Sequence, residues 1–212
     1  MSLIEIHQVN KSLKGMPIFS NLNLKIEKGK TYGFVGPNGS GKSVLFKLIC
    51  GFMFPDSGKV MVNGEELGKN KRFPSDFGII IDRPGYIPGK TGFENLKVLA
   101  MIQNKISDEK IKQTMQLVGL QPEAKQKLKE YSLGMKQKLA IAQAIMEDQQ
   151  TLILDEPFNA LDEDSVRNIR QLLLRFKEEG RTILLTSHNR EDIELICDEV
   201  YKIHNYQLER VN

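Results

Sequence analysis

Little in this chain points outside the cell or across a membrane. Its 212 residues hold only two cysteines, Cys50 and Cys197, far apart and in no CxxC or metal-ligand spacing. Lone thiols in apolar segments read as reduced side chains of a cytosolic protein and exclude a disulfide framework. No basic-then-apolar leader opens the sequence, which argues against secretion. No apolar run approaches the ~20 residues that span a bilayer, so the chain is not expected to cross a membrane by itself. An excess of charge of one sign is also missing: 30 basic residues against 27 acidic ones leave +3, which argues neither for nor against nucleic acid. That excess is uneven. Between Gly89 and Ala140 ten lysines meet five acids, Glu94, Asp108, Glu109, Glu123 and Glu130. This stretch reads as a solvated helical surface, with attraction to an anionic membrane face as the rival reading. Internal repeats and low-complexity linkers are missing too.

What is present is an ordinary globular composition, 40% hydrophobic and 27% charged, long enough for one domain of generous size or a domain with a modest subdomain. Leu22, Leu24 and Ile26 alternate with polar residues ahead of a Glu27-Lys28-Gly29 turn, the period of a half-buried strand. Tyr32–Val35 is a short apolar run meeting a glycine-rich loop, and from Ser43 the apolar residues Val44, Leu45, Leu48 and Ile49 take helical spacing up to Gly51. Met61-Val62-Asn63-Gly64 reads as a strand entering a turn, and Phe77–Ile81 as another strand. From Thr91 to about Met146 glycine is sparse and helix formers dominate, punctuated by Pro122 and Gly134. Strands return at Thr151–Leu154 and Thr182–Thr186, with a helix around Ser165–Glu179 between them. Val200–Ile203 and Gln207–Val211 suggest a closing hairpin. The layout is an α/β core interrupted by a helical insertion.

Gly36-Pro37-Asn38-Gly39-Ser40-Gly41-Lys42-Ser43 fits GxxxxGK[ST] between a strand and a helix, the context that pattern requires. Glycines let successive backbone N–H groups turn inward as a nest for phosphate oxygens, and the helix beginning near Lys42 adds its positive end. Lys42 reaches the β- and γ-phosphates, and the Ser43 hydroxyl joins a Mg²⁺ shell. With Val44, the next helical residue, these form the expected nucleotide-binding set. Thr151–Leu154 is an apolar strand that delivers two acids to the rim of a sheet, where α/β folds bind ligands. Asp155 is the expected Mg²⁺ ligand, and Glu156 the general base that polarises the attacking water. His188 follows a further apolar strand, where a histidine is open to two readings, a γ-phosphate sensor or a satisfied surface side chain. His7 and His204 read as surface side chains. Up to this point the residues describe a P-loop NTPase with a Mg²⁺ site; ATP as its nucleotide enters with the resemblance that follows.

Tyr131-Ser132-Leu133-Gly134-Met135 lies twenty residues before Asp155 and opens the helical segment Lys136–Met146. It resembles the LSGGQ signature of the ABC transporter ATPases, in the YSxGM form of their bacterial exporter branch. Phe158-Asn159-Ala160-Leu161-Asp162 is similar to that family's D-loop, Thr186-Ser187-His188 to its switch histidine, and Thr91-Gly92-Phe93-Glu94-Asn95-Leu96 to the segment after its Q-loop. The resemblance covers essentially the whole chain, in family order. It implies an α/β P-loop core with a mixed sheet and an antiparallel β portion (residues 1–88 and 141–212), with a helical subdomain at 89–140. It also implies head-to-tail pairing, in which Ser132, Gly134, Met135 and Asp162 meet nucleotide held by the other copy's P-loop. The partners it implies are a second ATPase subunit, with a homodimer expected, and an integral membrane permease on whose cytoplasmic face the protein sits. A helix of that permease is expected in a groove lined by Arg83–Phe93. No nucleic acid is expected.

Two positions depart from the family. Leu13 stands where an aromatic residue stacks on adenine, so the base would be packed and not stacked. Asp82 stands at the Q-loop position, a shorter arm towards Mg²⁺. Alternatives are a soluble ABC ATPase acting on ribosomes or DNA, a non-hydrolysing regulatory subunit, and a GTPase. The first is disfavoured by a single P-loop and by the roughly ninety residues between Lys42 and Ser132, without sustained heptads. The second is disfavoured by the complete set Lys42, Asp155, Glu156 and His188. The third is disfavoured by Ser107, which follows Asn104-Lys105-Ile106 where guanine reading needs aspartate. The transported substrate lies outside the sequence; the signature form leans towards export of a peptide, antibiotic or other amphipathic compound.

Overall fold

The computed structural model describes residues 2–68, 74–82 and 85–211. Two strands open the chain, β1 (Ser2–Leu13) and β2 (Met16–Glu27), joined by Lys14 and Gly15 at φ 50° and 80°. Both turn residues are left-handed, as a hairpin matching the twist of its strands requires. Alternation places Ile4, Ile6, Leu22, Leu24 and Ile26 in the core. Strand β4 (Ser57–Val62) pairs with β1, and the short β5 (Glu65–Glu66) returns through Asn63 and Gly64, at φ 52° and 80°. These four form an antiparallel sheet in the order β2-β1-β4-β5.

Strand β3 (Thr31–Val35) belongs to a second sheet with β6 (Phe77–Ile80), β7 (Thr151–Leu154), β8 (Thr182–Thr186), β9 (Glu199–His204) and β10 (Gln207–Arg210), in the order β10-β9-β3-β8-β7-β6. All neighbouring pairs are parallel except the β9–β10 hairpin. Burial on both faces explains their continuous apolar runs: every residue of β7 and β8 is buried. The hairpin turns on Asn205 and Tyr206 at φ 47° and 63°, and the Ser20 amide donates to Tyr206 O at 3.0 Å, stitching the two sheets together. Helix α1 (Lys42–Ile49) packs beneath β3, with Phe34 edge-on to Phe46.

Three helices fill the middle of the chain. Helix α2 (Gly92–Gln103) starts at a capping box, in which Thr91 Oγ1 accepts from Glu94 N and Thr91 N donates to Glu94 Oε2 at 2.6 Å. Helix α3 (Asp108–Leu117) is capped by Ser107. Helix α4 (Leu133–Ile145) is capped by Ser132, so Gly134 lies inside its first turn and does not break the segment, and the helix begins three residues before Lys136. It also runs without interruption across position 140. Buried residues of α2, α3 and α4 share one apolar cluster with Leu152, Leu154 and Ile183 of the sheet. Helix α5 (Glu163–Glu178) carries a strongly amphipathic face, and the short α6 (Arg190–Ile196), absent from the sequence expectations, follows His188. No helix among the described residues is long and apolar enough to cross a membrane.

Candidate active site

Because β3, β7 and β8 run parallel, their C-terminal ends deliver Gly36, Asp155 and Ser187 to one edge of the sheet. Between β3 and α1 the loop 36–41 is shaped by close approaches that only glycine allows. A Cβ on Gly36 would lie 2.8 Å from Ser40 Oγ and 2.9 Å from Ile203 O, and one on Gly41 would meet Ile18 Cγ2 at 2.8 Å. Gly41 holds the N-terminus of α1 at φ 109° with no side-chain cap, leaving the first helical N–H groups directed into the loop. Lys42 is buried, and its ammonium donates to Gly36 O at 2.7 Å and Pro37 O at 3.3 Å, folded over the loop it follows.

Ser43 Oγ donates to Asp155 Oδ2 at 2.5 Å, and Thr186 Oγ1 donates to Asp155 Oδ1 at 2.8 Å. Thr186 Oγ1 also accepts from Glu156 N at 2.8 Å, so one hydroxyl fixes both acids. Glu156 takes a left-handed φ of 52°, which turns its carboxylate off the strand axis. Its Oε1 lies 3.1 Å from His188 Nε2, an ion-pair separation, yet it has no partner at hydrogen-bonding geometry. Burial raises the Glu156 pKa above the ordinary carboxylate range; His188 and Lys42 oppose that shift, and Asp155 adds to it. Glu156 Oε1 and Ser40 Oγ are two of three buried, unpartnered side-chain polar atoms among the described residues, one at the end of β7 and the other in the 36–41 loop, free to bond a ligand. The donor set fits the expected cation as well. Hydroxyl and carboxylate oxygens from Ser43 and Asp155 are the hard ligands Mg²⁺ takes.

Asp82, expected beside them, lines a cavity of about 710 Å³ with Asp155 and Glu156. Its carboxylate pairs with Lys47 of α1 at 2.6 Å instead of joining the Ser43–Asp155 pair. Leu13, half-buried at the end of β1, stands across the hairpin from Met16. Pro17 and Ile18, just beyond, line a cavity of about 300 Å³ with Pro37, Asn38, Gly39 and Ser40. Val44 is half-buried on the first turn of α1.

Ser132 and Met135 begin α4, with Ser132 Oγ accepting from Met135 N at 3.1 Å. The N–H groups of Leu133 and Gly134 precede the helix's own bonding and face outward. Asp162 caps α5 by accepting from Ser165 N at 2.8 Å, and that backbone bond lowers its pKa. The same chain thus carries one positive helix end in the phosphate loop, at α1, and another on the rim, at α4.

Residues 19–159 match the profile of the ABC transporter family. An uncharacterized ABC transporter ATP-binding protein of Bacillus subtilis (strain 168), YybJ, is 40% identical over 207 residues, 98% of this chain and 95% of its own length. The chain belongs to the ABC transporter ATPases. The bacitracin transport ATP-binding protein BcrA of Enterococcus faecalis is 38% identical over 99% of this chain and 69% of its own. The dimeric, ADP- and Pi-bound ATP-binding cassette MJ0796 superposes with a TM-score of 0.87 over 99% of both chains, at 21% identity, a match of fold. This ABC ATPase is therefore a nucleotide-binding, ATP-hydrolysing transporter subunit.

The structure of this ABC ATPase adds residues that no motif reading named. Thr186 enters above only as part of the switch resemblance, yet it bonds Asp155 and Glu156 together. Asp192 of α6, 1% exposed, accepts from Ser187 Oγ at 2.6 Å and from Arg170 Nε at 2.6 Å, bracing the turn that presents His188. Arg83 and Pro84, expected in the permease groove, lie outside the described residues. Of the rest of that segment, the Asn95 amide ties Ile87 N at 2.8 Å and Thr91 O at 2.8 Å. A Cβ on Gly92 would meet Tyr131 Oη at 2.5 Å, which joins the start of α2 to the signature.

Proposed function

We propose that two copies of this chain close head-to-tail on ATP, hydrolyse it, and drive a separate membrane permease that exports a peptide antibiotic or similar amphipathic compound. The desolvated Glu156 carboxylate, its Oε1 3.1 Å from His188 Nε2 and without a hydrogen-bonded partner, carries the catalytic half of this reading. With ATP in the loop, N–H groups of residues 36–41 and the ammonium of Lys42 bind the β- and γ-phosphates. Ser43 and Asp155 hold Mg²⁺, whose charge offsets that of the phosphates. Glu156 orients the attacking water and takes its proton, and His188 steadies the γ-phosphate side. Asp82, held by Lys47, would reach the cation only through water.

The second positive helix end, at Ser132, Gly134 and Met135, supports the pairing. It is exposed and turned to the rim, so its natural anion is a γ-phosphate bound by another copy, with Asp162 contacting the facing subunit. Each nucleotide then acts as adhesive between subunits, and hydrolysis loosens it. The dimeric state named for MJ0796 is in keeping with that arrangement. Export, and a peptide antibiotic as cargo, rest on the bacitracin transport relative.

The permease surface in this reading is an exposed apolar one, not the Arg83–Phe93 segment that the resemblance implies, of which Tyr86 and Pro88 line the cavity beside Asp155 and Glu156. Phe52, Met101 and Ile102 are 53%, 68% and 77% exposed; Phe52 and Ile102 line a groove of about 370 Å³ with Ile81 and Leu99, between α2 and β6. An apolar patch of that kind marks a protein interface, and its occupant in this reading is a cytoplasmic helix of the permease. That contact holds the subunit peripherally on the inner face of the membrane, with residues 89–140 as the lever between groove and signature.

The test of the pairing is the Glu156→Gln variant with ATP and Mg²⁺. It should run as a dimer on size exclusion and revert to monomer when ATP is replaced by ADP. A variant that stays monomeric at saturating ATP removes the pairing from this account.

A further inference from the structure

Helix α4 does more than carry the signature. One turn past its cap, the Gln137 amide leaves the helix, and its Nε2 donates to Glu156 O at 3.2 Å and to Pro157 O at 3.0 Å. Glu156 O also accepts from Asn159 N at 3.2 Å, closing the turn that follows the base. Both ends of that turn are held in unusual backbone states, Glu156 at φ 52° and Ala160 at φ 63°. Left-handed conformations of residues with a Cβ persist where neighbouring groups over-determine them. The neighbour here is α4. Gln137 clamps the near end, and at the far end the Ala160 carbonyl oxygen lies only 2.7 Å from where a Cβ on Gly134 would be. The 156–160 turn therefore rides on the first two turns of α4 by a two-pronged amide and a close backbone approach. Gln137, Glu156 and Ala160 also share the wall of the 710 Å³ cavity.

We infer that Gln137 is a positioning residue that sets the Glu156 carboxylate and links the two ATP sites of the dimer. The inference rests on the head-to-tail reading. In that arrangement the Ser132 end of α4 meets ATP bound by the partner subunit, while Glu156 of the same chain serves the ATP in its own P-loop. Gln137 lies one helical turn from the first and one hydrogen bond from the second. A helix is stiff along its axis, so a displacement of its N-terminus by the partner's nucleotide arrives at Gln137 undiminished. From there it passes into the backbone that aims the base. Occupancy of one site then prepares hydrolysis at the other over a path inside a single chain.

Steady-state ATPase of the full chain tests this against a merely structural contact. Gln137→Ala should lower kcat about tenfold, leave KM within about twofold, and reduce the Hill coefficient for ATP from its wild-type value towards 1. Gln137→Glu should do no better, because an ionised carboxylate has no hydrogen to give to two carbonyls. In the Glu156→Gln background, Gln137→Ala should still form the ATP-dependent dimer. Unchanged kcat and Hill coefficient overturn the inference and leave the head-to-tail pairing standing. A fall in kcat with no change in the Hill coefficient, or a wild-type coefficient of 1, overturns the link between sites. A double variant that fails to dimerise where Glu156→Gln succeeds shows a structural role and overturns it too. Failure of Glu156→Gln itself to dimerise removes the pairing, and this inference with it.

Discussion

Glu156 is the residue where stability and chemistry conflict. Burial disfavours its charged form and raises its pKa, while the general-base role proposed for it needs the ionised form, which accepts a proton. The sign of the linkage follows. Below the unfolded-state pKa, ~4.3, the carboxyl is protonated in both states and burial costs nothing. As pH rises through the elevated native value, the unfolded chain ionises first and native stability is lost. Glu156→Gln should therefore melt higher than the native chain near pH 7, with the gap closing as pH falls towards 4, read by differential scanning fluorimetry. Its hydrolysis rate should drop by about 10²–10⁴-fold, the usual value of a positioned base. A variant no more stable at neutral pH would show that its desolvation is offset within the site. Sequence made this residue legible because its neighbours are local: an apolar strand ends in two acids, and the strand fixes where they emerge. Gln137 was opaque for the opposite reason. Its partners are the carbonyls of residues about twenty positions away, and backbone oxygens have no sequence signature.

Elements, more than residues, decide how the switch histidine is presented. Helix α6 has only seven residues, too short for a clear apolar period, which is why the sequence reading passes over it. Yet Asp192 on that helix anchors Ser187, and Arg170 on α5 pairs with Asp192 and Glu191. Because α5 begins at the Asp162 cap, one helix joins the D-loop to the histidine turn. Arg170→Ala would strand a buried carboxylate, a loss of about 3 kcal/mol in urea unfolding. Arg170→Lys should recover part of it, since one ammonium replaces a planar fork. Equal stability of all three chains would show that Asp192 is satisfied without Arg170. The hairpin calls for the same contrast. Asn63-Gly64 was legible as a turn from its residue types, whereas the Asn205-Tyr206 turn was legible only from the strands around it.

At the scale of the molecule, the apolar groove between α2 and β6 and the rim that carries Ser132 are joined through the contact of Tyr131 with Gly92. Ile102→Glu places a charge in the groove and nowhere near the nucleotide. It should leave the ATPase of the isolated chain within about twofold while abolishing co-purification with the permease and its stimulation of hydrolysis, measured in membranes carrying both. Retained co-purification would move the docking surface elsewhere. The overall architecture was legible because the alternation in β2 and the continuous apolar runs at β7 and β8 have different periods, half-buried against fully buried. The first residues of α4 were less so. Gly134 looked like a break, and only the arrival of the Ala160 carbonyl beside it explains a glycine within a helix.

The position of β3 has a consequence for how the protein is made. Its two neighbours in the sheet are β8 and β9, so the strand that carries the phosphate loop has no partner in its own sheet until those two, far later in the chain, have been translated. A nascent chain emerging from the ribosome can zip its N-terminal hairpin early, because β1 and β2 are adjacent. Asp155 and His188 follow β7 and β8, so a chain stalled before those strands offers no finished nucleotide site.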